Sequence, residues 1–281
     1  MANPSIFGLL GYPVRHSLSP LMHNAAFKAL HIPAEYELFE VKPEELNSFL
    51  YDLDKNKISG LNITVPYKEK VMDFVQLGSE SFHLRQVRAV NTIVKNNNSW
   101  QGFNTDIPGF QKHLRENFNP LGKKTAILGA GGAARAVAYA LANGGVREIS
   151  IFDIDKEKNA NVCAMIGALF PALKVSCVEK PEDLDIKNKD LLVNCTPVGM
   201  KETDPALLRK ESLHKKLFVY DLIYNPSETR LLKDAKEIGA RTSNGLGMLL
   251  YQGALSFSHF TGKEAPLEIM RDALKKGVKK I

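Results

Sequence analysis

The 281-residue chain has little cysteine, a single tryptophan and no long apolar run. Its three cysteines, Cys163, Cys177 and Cys195, form no Cys-x-x-Cys pair. We therefore expect them to serve as small apolar residues of a protein in the reducing cytoplasm, and not as metal ligands. No apolar stretch approaches the roughly 18 residues that a membrane-spanning helix needs. Residues 1–4 show no basic region followed by an apolar one, which argues against a secretory signal. We therefore expect a cytoplasmic protein without a membrane partner.

The formal net charge of +6 is too unevenly distributed to indicate a nucleic-acid site. Four lysines in the terminal segment 275–280 carry much of the excess, and positive charge there suits the C-terminal end of a helix. Elsewhere no basic stripe alternates with aromatic residues, as a nucleic-acid site would require. His16 and His23 lack a third ligand at metal spacing. We expect neither a nucleic-acid partner nor a bound metal.

A glycine-rich turn between two predicted strands is the most informative feature that is present. Residues 125–128 are β-prone, residues 136–143 are alanine-rich and helical, and a second β-prone run at 148–152 ends on Asp153. The turn has the spacing Gly-x-Gly-x-x-Ala, in which the first glycine turns tightly, the second admits a pyrophosphate and the small alanine lets the helix pack closely. The helix N-terminus donates backbone N–H groups to the phosphates. The pattern predicts a nicotinamide dinucleotide site at Gly129, Ala130, Gly131, Gly132 and Ala133.

Strand-like and helical runs alternate along the chain, which predicts an α/β protein with mainly parallel sheets. We expect a mixed α/β substrate-binding (catalytic) domain in residues 1–105, a connector helix in 106–122 and a Rossmann-like dinucleotide-binding domain in 123–244. Helices in residues 245–281 are expected to pack back on the first domain. The ligands are expected in the cleft between the two domains.

Polar side chains collect at the ends of the predicted elements in the first domain. They are Ser17, Ser19, Asn62, Thr64, Lys68, Asn91, Asn104 and Asp106. Open α/β sheets bind ligands beyond the carboxyl ends of their strands, so this set suits a small polyhydroxylated acid. Each residue also has a structural interpretation: Ser19 could cap a helix beginning at Pro20, and Asp106 could cap the connector. Their occurrence together with a dinucleotide turn favours ligand binding.

A series of uncommon motifs runs in order from about residue 6 to residue 262. It comprises Gly-Tyr-Pro-Val at 11–14, His-Ser-Leu-Ser-Pro at 16–20, His-Asn at 23–24, Asn-Ile-Thr-Val-Pro-Tyr-Lys at 62–68, Ala-Val-Asn-Thr at 89–92, Asn-Thr-Asp at 104–106, the glycine turn at 129–135, Asn-Cys-Thr-Pro-Val-Gly-Met at 194–200, Asp-Leu-Ile-Tyr-Asn-Pro at 221–226, and Gly-Leu-Gly-Met-Leu at 245–249 with Gln252. The series closely resembles that of the shikimate dehydrogenase family (shikimate and quinate dehydrogenases). The resemblance implies reversible hydride transfer between a nicotinamide cofactor and 3-dehydroshikimate or shikimate, in aromatic amino acid (chorismate) biosynthesis. It implies a small-molecule substrate and a monomer or homodimer.

The resemblance also implies roles for the matching positions. Lys68 and Asp106 would form the catalytic pair, with Lys68 as general acid, or base in the reverse direction, and Asp106 orienting it. The implied substrate-binding residues are Ser17, Ser19, Asn62, Thr64, Lys68, Asn91, Asp106, Tyr224 and Gln252. The implied cofactor-binding residues are Gly129, Ala130, Gly131, Gly132, Ala133, Asp153, Thr196, Leu222, Gly245 and Met248.

Two positions depart from the family pattern. Arg88 stands where the family usually has glycine before Ala-Val-Asn-Thr, which affects the local backbone. At the end of the second cofactor-domain strand, NADP-using members typically carry Asn-Arg-Thr, whose arginine holds the 2′-phosphate, whereas this chain has Asp-Ile-Asp at 153–155. A carboxylate there accepts ribose hydroxyls and repels a 2′-phosphate, at a cost of about 1–4 kcal/mol. We expect preference for NAD or dual use, although Lys156 and Lys158 could restore the family's usual NADP.

Two alternatives remain open at this stage. NAD-using relatives that oxidise quinate often have threonine in place of the second serine of Ser-x-Ser. Ser19 therefore favours shikimate, with an NAD-dependent quinate/shikimate dehydrogenase as the second candidate. A non-catalytic metabolite- or dinucleotide-sensing protein on the same scaffold would be expected to lack Lys68 or Asp106, and both are present.

Overall fold

The computed structural model describes residues 4–78 and 82–278, apart from the side chains of residues 82 and 83. The chain divides into two compact units. One unit contains the residues up to Gly109 together with those from Leu249 onward, and the other is Phe110–Met248. Across the described ranges, every helix falls short of the length and apolar character that crossing a membrane requires.

A mixed five-stranded sheet forms the centre of the first unit. Its strands are β1 (Ser5–Gly11), β2 (Ala34–Glu40), β3 (Ile58–Ile63), β4 (Thr92–Asn96) and β5 (Ser99–Phe103). Their order in the sheet is β2-β1-β3-β4-β5, with β1 parallel to β2 and β3. Strand β4 is antiparallel to β3 and forms an antiparallel hairpin with β5. Leu10, Leu61 and Ile63 belong to a buried apolar cluster of this unit.

A six-stranded, wholly parallel sheet forms the centre of the second unit. Its strands are β6 (Lys124–Leu128), β7 (Glu148–Phe152), β8 (Lys174–Val178), β9 (Leu191–Asn194), β10 (Phe218–Asp221) and β11 (Arg241–Ser243). Their order is β11-β10-β9-β6-β7-β8, and every paired strand is parallel to its neighbour. Strands β9 and β10 are buried along their whole length, as expected for a parallel sheet covered on both faces. The α/β class and the Rossmann-like parallel sheet are as predicted.

Nine α-helices occur within the described residues. They are α1 (Ser19–Ala29), α2 (Leu46–Tyr51), α3 (Phe82–Val87), α4 (Asp106–Asn117), α5 (Gly132–Asn143), α6 (Lys156–Leu169), α7 (Arg230–Glu237), α8 (Leu246–Thr261) and α9 (Leu267–Val278). Local capping explains two of the starting points. The Asp155 carboxylate accepts a hydrogen bond from the Lys158 backbone at the start of α6, and the Thr229 hydroxyl accepts one from Leu232 at the start of α7.

Two expectations about local structure are wrong. Ser19 is the first residue of α1 and not its N-cap; its backbone N–H donates to the Ser17 hydroxyl at 3.2 Å. Cys163 and Cys177 are not separate apolar residues, because a disulfide joins them. Packing of α6 on β8 brings their Cα atoms to 6.2 Å across 14 residues of sequence, a proximity that cysteine spacing alone does not reveal.

Arg88 adopts a backbone conformation that favours glycine. Its φ angle is +51°, in the left-handed region that residues other than glycine rarely occupy. The residue follows α3 directly, and its backbone N–H closes that helix by donating to the Leu84 carbonyl at 2.8 Å. The conformation accounts for the glycine that the family usually has at this position.

Candidate functional site

Lys68 and Asp106 form a largely buried ion pair in the first unit. Lys68 follows β3, Asp106 opens α4, and Lys68 Nζ lies 2.6 Å from Asp106 Oδ2. Their side chains are 12% and 7% exposed, so the pair is poorly screened by solvent. A buried pair needs further hydrogen bonds to offset its desolvation. Asn91 Nδ2 supplies one by donating to the second carboxylate oxygen, Asp106 Oδ1, at 2.9 Å.

Asn104 performs the capping role that Asp106 could have had. Its side-chain oxygen accepts the Ile107 backbone N–H at 3.1 Å, and its amide nitrogen donates to the Ala89 carbonyl at 2.8 Å. The Asp106 carboxylate is therefore directed to Lys68 and Asn91 and not to its own helix. This arrangement favours the ligand-binding interpretation of Asp106 over the structural one.

Asn91 and Gln252 complete the polar group around Asp106. Asn91 is buried; its oxygen accepts the Thr105 N–H at 2.7 Å, and its nitrogen approaches the Gln252 oxygen at 3.4 Å. Gln252 lies in α8 and donates to the Leu249 carbonyl at 3.0 Å. Two residues separated by 161 positions are thus neighbours at the head of α4.

A second group of buried polar residues lies next to Asn91, and Asn62 connects the two by donating to the Asn91 backbone carbonyl at 3.3 Å. Asn62 is buried, and its oxygen accepts the Tyr36 hydroxyl at 2.7 Å. Its nitrogen donates to Thr92 Oγ1 at 3.0 Å and to Ser256 Oγ at 2.8 Å. Asn62 thus uses both ends of its amide on other protein groups. Sequence reasoning did not identify Tyr36, Thr92 and Ser256, although Ser256 lies one helical turn after Gln252 and so shares its face of α8.

The predicted hydroxyl groups lie at the ends of β1 and β3 and at the start of α1. Ser17 Oγ donates to Ser19 Oγ at 3.1 Å, and Ser19 is buried. Thr64 follows β3, where its backbone N–H donates to the Leu10 carbonyl at 2.9 Å. A Cβ at Gly11 would collide with the Thr64 side chain, so glycine is required beside it. The first unit therefore holds every predicted substrate residue except Tyr224, which belongs to the second.

The glycine turn of the second unit has the geometry that a dinucleotide requires. Gly129 has φ +100°, which glycine tolerates, and a Cβ there would approach Cys195 to 3.1 Å. Helix α5 begins at Gly132, and a Cβ added at Gly131 would meet no atom within 4 Å, so the backbone there is open to a ligand. Ala134 in α5 is fully buried. Residues 129–133 therefore fit a bound pyrophosphate.

Asp153 lies directly against this turn at the end of β7. Its Oδ2 atom accepts the Ala130 backbone N–H at 2.6 Å, and its Oδ1 atom accepts the Asp155 N–H at 2.8 Å. The two nearby lysines are already engaged: Lys156 faces Glu179 at 3.5 Å and Lys158 faces Asp155 at 3.0 Å. The position that meets the adenosine ribose in dinucleotide folds therefore has a negative character.

The remaining predicted cofactor residues follow neighbouring strands of the parallel sheet. Thr196 follows β9, Leu222 follows β10, Gly245 follows β11, and Met248 lies in α8. The Leu222 backbone N–H donates to the Asn194 carbonyl at 2.9 Å. A Cβ at Gly245 would collide with the Leu222 carbonyl, so these two loops pack in direct contact.

These features define a two-unit α/β protein with a Rossmann-like sheet, and comparison with known proteins gives its family. Residues 9–93 match the family model "Shikimate dehydrogenase substrate binding domain", and residues 245–275 match "Shikimate 5'-dehydrogenase C-terminal domain". The "Shikimate dehydrogenase (NADP(+))" of Methanopyrus kandleri is 43% identical over 281 residues, covering 97% of this chain and 96% of the relative. The chain belongs to the shikimate dehydrogenase family.

Solved structures of the same family have the same fold. The shikimate dehydrogenase of Aquifex aeolicus superposes with a TM-score of 0.88 at 36% identity, covering 98% of this chain and 99% of that one. The enzyme of Listeria monocytogenes, determined with shikimate and NAD, superposes with a TM-score of 0.84 at 35% identity, covering 98% and 97%. The resemblance inferred from the motifs is confirmed.

Proposed function

We propose that this protein is a shikimate dehydrogenase, which transfers a hydride reversibly between a nicotinamide cofactor and 3-dehydroshikimate or shikimate, in aromatic amino acid biosynthesis. One observation carries the proposal: an ammonium–carboxylate pair, Lys68 and Asp106, lies buried at 2.6 Å among amide and hydroxyl groups. The relatives named above carry the same activity in their names.

The chemistry of the pair follows from what ketone reduction requires. When bound, the nicotinamide supplies the hydride to the carbonyl carbon, or accepts it in the reverse direction. Lys68 then gives a proton to the carbonyl oxygen, which becomes the hydroxyl, and recovers that proton when shikimate is oxidised. Asp106 holds the Lys68 ammonium in place and accepts a hydrogen bond from a neighbouring ring hydroxyl. The remaining hydroxyl and amide groups hold the ring; they are Ser17, Ser19, Thr64, Asn91, Tyr224 and Gln252, with Asn62 supporting Asn91 by donating to the Asn91 backbone carbonyl.

The function is tested by initial rates of the purified protein with shikimate and with quinate, each against NAD and NADP. We expect turnover of shikimate with at least one cofactor and much slower turnover of quinate. The reason is that Ser19 stands where relatives that oxidise quinate often have threonine. Quinate turnover comparable to that of shikimate would favour the quinate/shikimate dehydrogenase. Cofactor binding without turnover of either substrate would favour the sensing protein.

Asp153 is proposed to direct the enzyme toward NAD or toward use of both cofactors. Its carboxylate lies against the glycine turn and close to where a 2′-phosphate would bind, and like charges at this distance cost about 1–4 kcal/mol at surface-like dielectric. Lys156 and Lys158 face Glu179 and Asp155 in largely exposed ion pairs. The names of the curated relatives favour NADP, so a direct comparison of the two cofactors is needed.

The Asp153→Asn variant tests this assignment. The amide oxygen still accepts the Ala130 N–H while the charge is lost, so we expect kcat/KM with NADP to rise about tenfold relative to NAD. Glu157→Gln, which removes an acidic charge from the exposed first turn of α6, is the matched control and should leave the ratio unchanged. A wild-type protein that uses NADP at least tenfold better than NAD would refute the assignment.

A further inference from the structure

Asp221 is a fully buried carboxylate at the end of β10 to which the proposed reaction gives no role. It accepts three hydrogen bonds: from Asn194 Nδ2 at 3.0 Å, from the Ile223 N–H at 3.0 Å and from the Thr229 hydroxyl at 2.7 Å. None of these donors is a cation, and burial raises the pKa of Asp221 to about 6. A buried charge without a cationic partner is costly for folding, so stability alone gives a weak reason for it.

The first arm of this arrangement runs through Asn194 to Thr196. The Asn194 oxygen accepts both the backbone N–H of Thr196 at 2.9 Å and its hydroxyl at 2.7 Å. A side-chain amide has a donor end and an acceptor end. The ionised Asp221 carboxylate can only accept, and together with the Val198 carbonyl, which accepts from the same nitrogen at 3.3 Å, it directs the Asn194 nitrogen inward and the oxygen toward Thr196. The carboxylate thereby sets the orientation of a residue that is expected to contact the cofactor.

The second arm holds the loop after β10. Asp221 binds this loop at Ile223 and again at Thr229, the residue that caps α7. Leu222 lies within the loop, and the Gly245 backbone N–H donates to the Ile223 carbonyl at 3.1 Å. Asp221 therefore links the end of β9 to the loop after β10, and the backbone bond between Gly245 and Ile223 links that loop to the one after β11. Open α/β sheets bind their ligands at these carboxyl ends of the strands.

We propose that Asp221 is a positioning residue for the nicotinamide cofactor: it orients Thr196 through Asn194 and holds Leu222 and Gly245 through the loop 222–229. The inference rests on the proposed function only in taking the nicotinamide cofactor as the ligand of this unit. The partners of the three hydrogen bonds of Asp221 are Asn194, Ile223 and Thr229, and none of these residues is proposed to bind the substrate. Loss of Asp221 should therefore weaken cofactor binding most, and should weaken substrate binding less, because Tyr224 is the one proposed substrate residue in the loop 222–229.

The test compares wild type, Asp221→Ala and Asp221→Asn for cofactor Kd by calorimetric titration with NAD and NADP, and for the KM of cofactor and shikimate. Loss of three hydrogen bonds should raise the Kd and KM of the preferred cofactor at least about tenfold in Asp221→Ala, and should raise the KM of shikimate by a smaller factor, through Tyr224 alone. Asp221→Asn should recover part of the loss, because its oxygen still accepts from Asn194 and Ile223. Measurements are made well below each variant's unfolding midpoint.

A second buried polar group in the same sheet provides the control. Ser150, the middle residue of β7, accepts from Lys189 Nζ at 2.7 Å and lies 2.9 Å from Ser176 Oγ in the middle of β8. Ser150→Ala should lower the unfolding midpoint without changing the cofactor Kd. If the cofactor Kd rises in proportion to the drop in unfolding midpoint in both Asp221→Ala and Ser150→Ala, the inference is overturned.

Further outcomes separate the inference from the proposed function. An Asp221→Ala protein with wild-type cofactor Kd overturns the inference alone, whereas a wild-type protein that binds neither NAD nor NADP overturns the proposed function. If Asp221→Ala does not fold, Asp221→Asn and Asn194→Ala carry the test. Both should raise the Kd, and in the double variant their effects should not add, because the carboxylate acts through the amide. Wild-type Kd in Asp221→Asn, or fully additive effects, would contradict the proposal.

Discussion

At the scale of single residues, the motifs predicted which side chains carry chemistry better than they predicted the hydrogen-bond partners of those side chains. Lys68 and Asp106 are 38 positions apart, yet the structure brings them to 2.6 Å, as their proposed pairing requires. The cap of α4 is Asn104, a distinction that depends on side-chain directions and not on residue type. Tyr36 has no local pattern that marks it, because its partner Asn62 comes from a distant segment.

His23 gives a prediction for the pH dependence of stability. Both ring nitrogens are buried and have no hydrogen-bond partner within the described part of the chain, and the ring stacks on Tyr36 at 4.3 Å. Burial lowers the pKa of His23 to about 3. The pKa of His23 is lower in the folded state than in the unfolded state, where it is about 6.5, so acid favours the unfolded chain. The contribution of the neutral, buried His23 to the free energy of unfolding is therefore fully present above about pH 6.5 and is lost as the pH falls toward 3.

We therefore expect His23 to account for about 2 kcal/mol of lost unfolding free energy between pH 8 and pH 5. His23→Phe keeps an aromatic ring on Tyr36 and should remove this part of the acid sensitivity. Denaturant unfolding at the two pH values measures it, with His31→Asn as a control that removes an exposed histidine from the same unit. An unchanged pH dependence in His23→Phe would contradict the expectation.

At the scale of elements, the strand–turn–helix–strand arrangement was predictable because glycine spacing and hydrophobic runs are local signals. Gly129 with φ +100° and the start of α5 at Gly132 agree with that pattern. The first turn of α1 was predicted less well, since a serine followed by proline resembles a cap whether or not its hydroxyl is used. The disulfide depends on how α6 packs on β8, which spacing does not reveal.

The Cys163–Cys177 disulfide is expected to stabilise the second unit. It joins residues 14 positions apart, and a loop of this size corresponds to about 3 kcal/mol of unfolding free energy in the chain-entropy description. Unfolding of the oxidised wild type should become easier by about this amount when a reductant is added. The double variant Cys163→Ser, Cys177→Ser should match the reduced protein and respond to no reductant. Equal stability of all four samples would show that the bond contributes nothing.

At the scale of the whole molecule, two buried polar groups are proposed to position two different ligands. In the first unit, Asn62 and Asn91 support the Lys68–Asp106 pair, and in the second, Asp221 connects the loops around Thr196. The motifs predicted the residues that are proposed to face the ligands. They did not identify the supporting residues, because a contact such as that between Asn62 and Ser256 spans 194 positions and requires the folded chain. The supporting polar residues can therefore be recognised only in the folded structure.

The most direct test of the account is the effect of Lys68→Met on shikimate oxidation with the preferred cofactor. We expect kcat to fall by about 10²–10⁴-fold with cofactor Kd unchanged, because the proton acceptor is lost and the dinucleotide residues are untouched. Lys70→Met, at an exposed lysine two residues further on, should retain wild-type kcat. A Lys68→Met protein that oxidises shikimate at the wild-type rate would contradict the account.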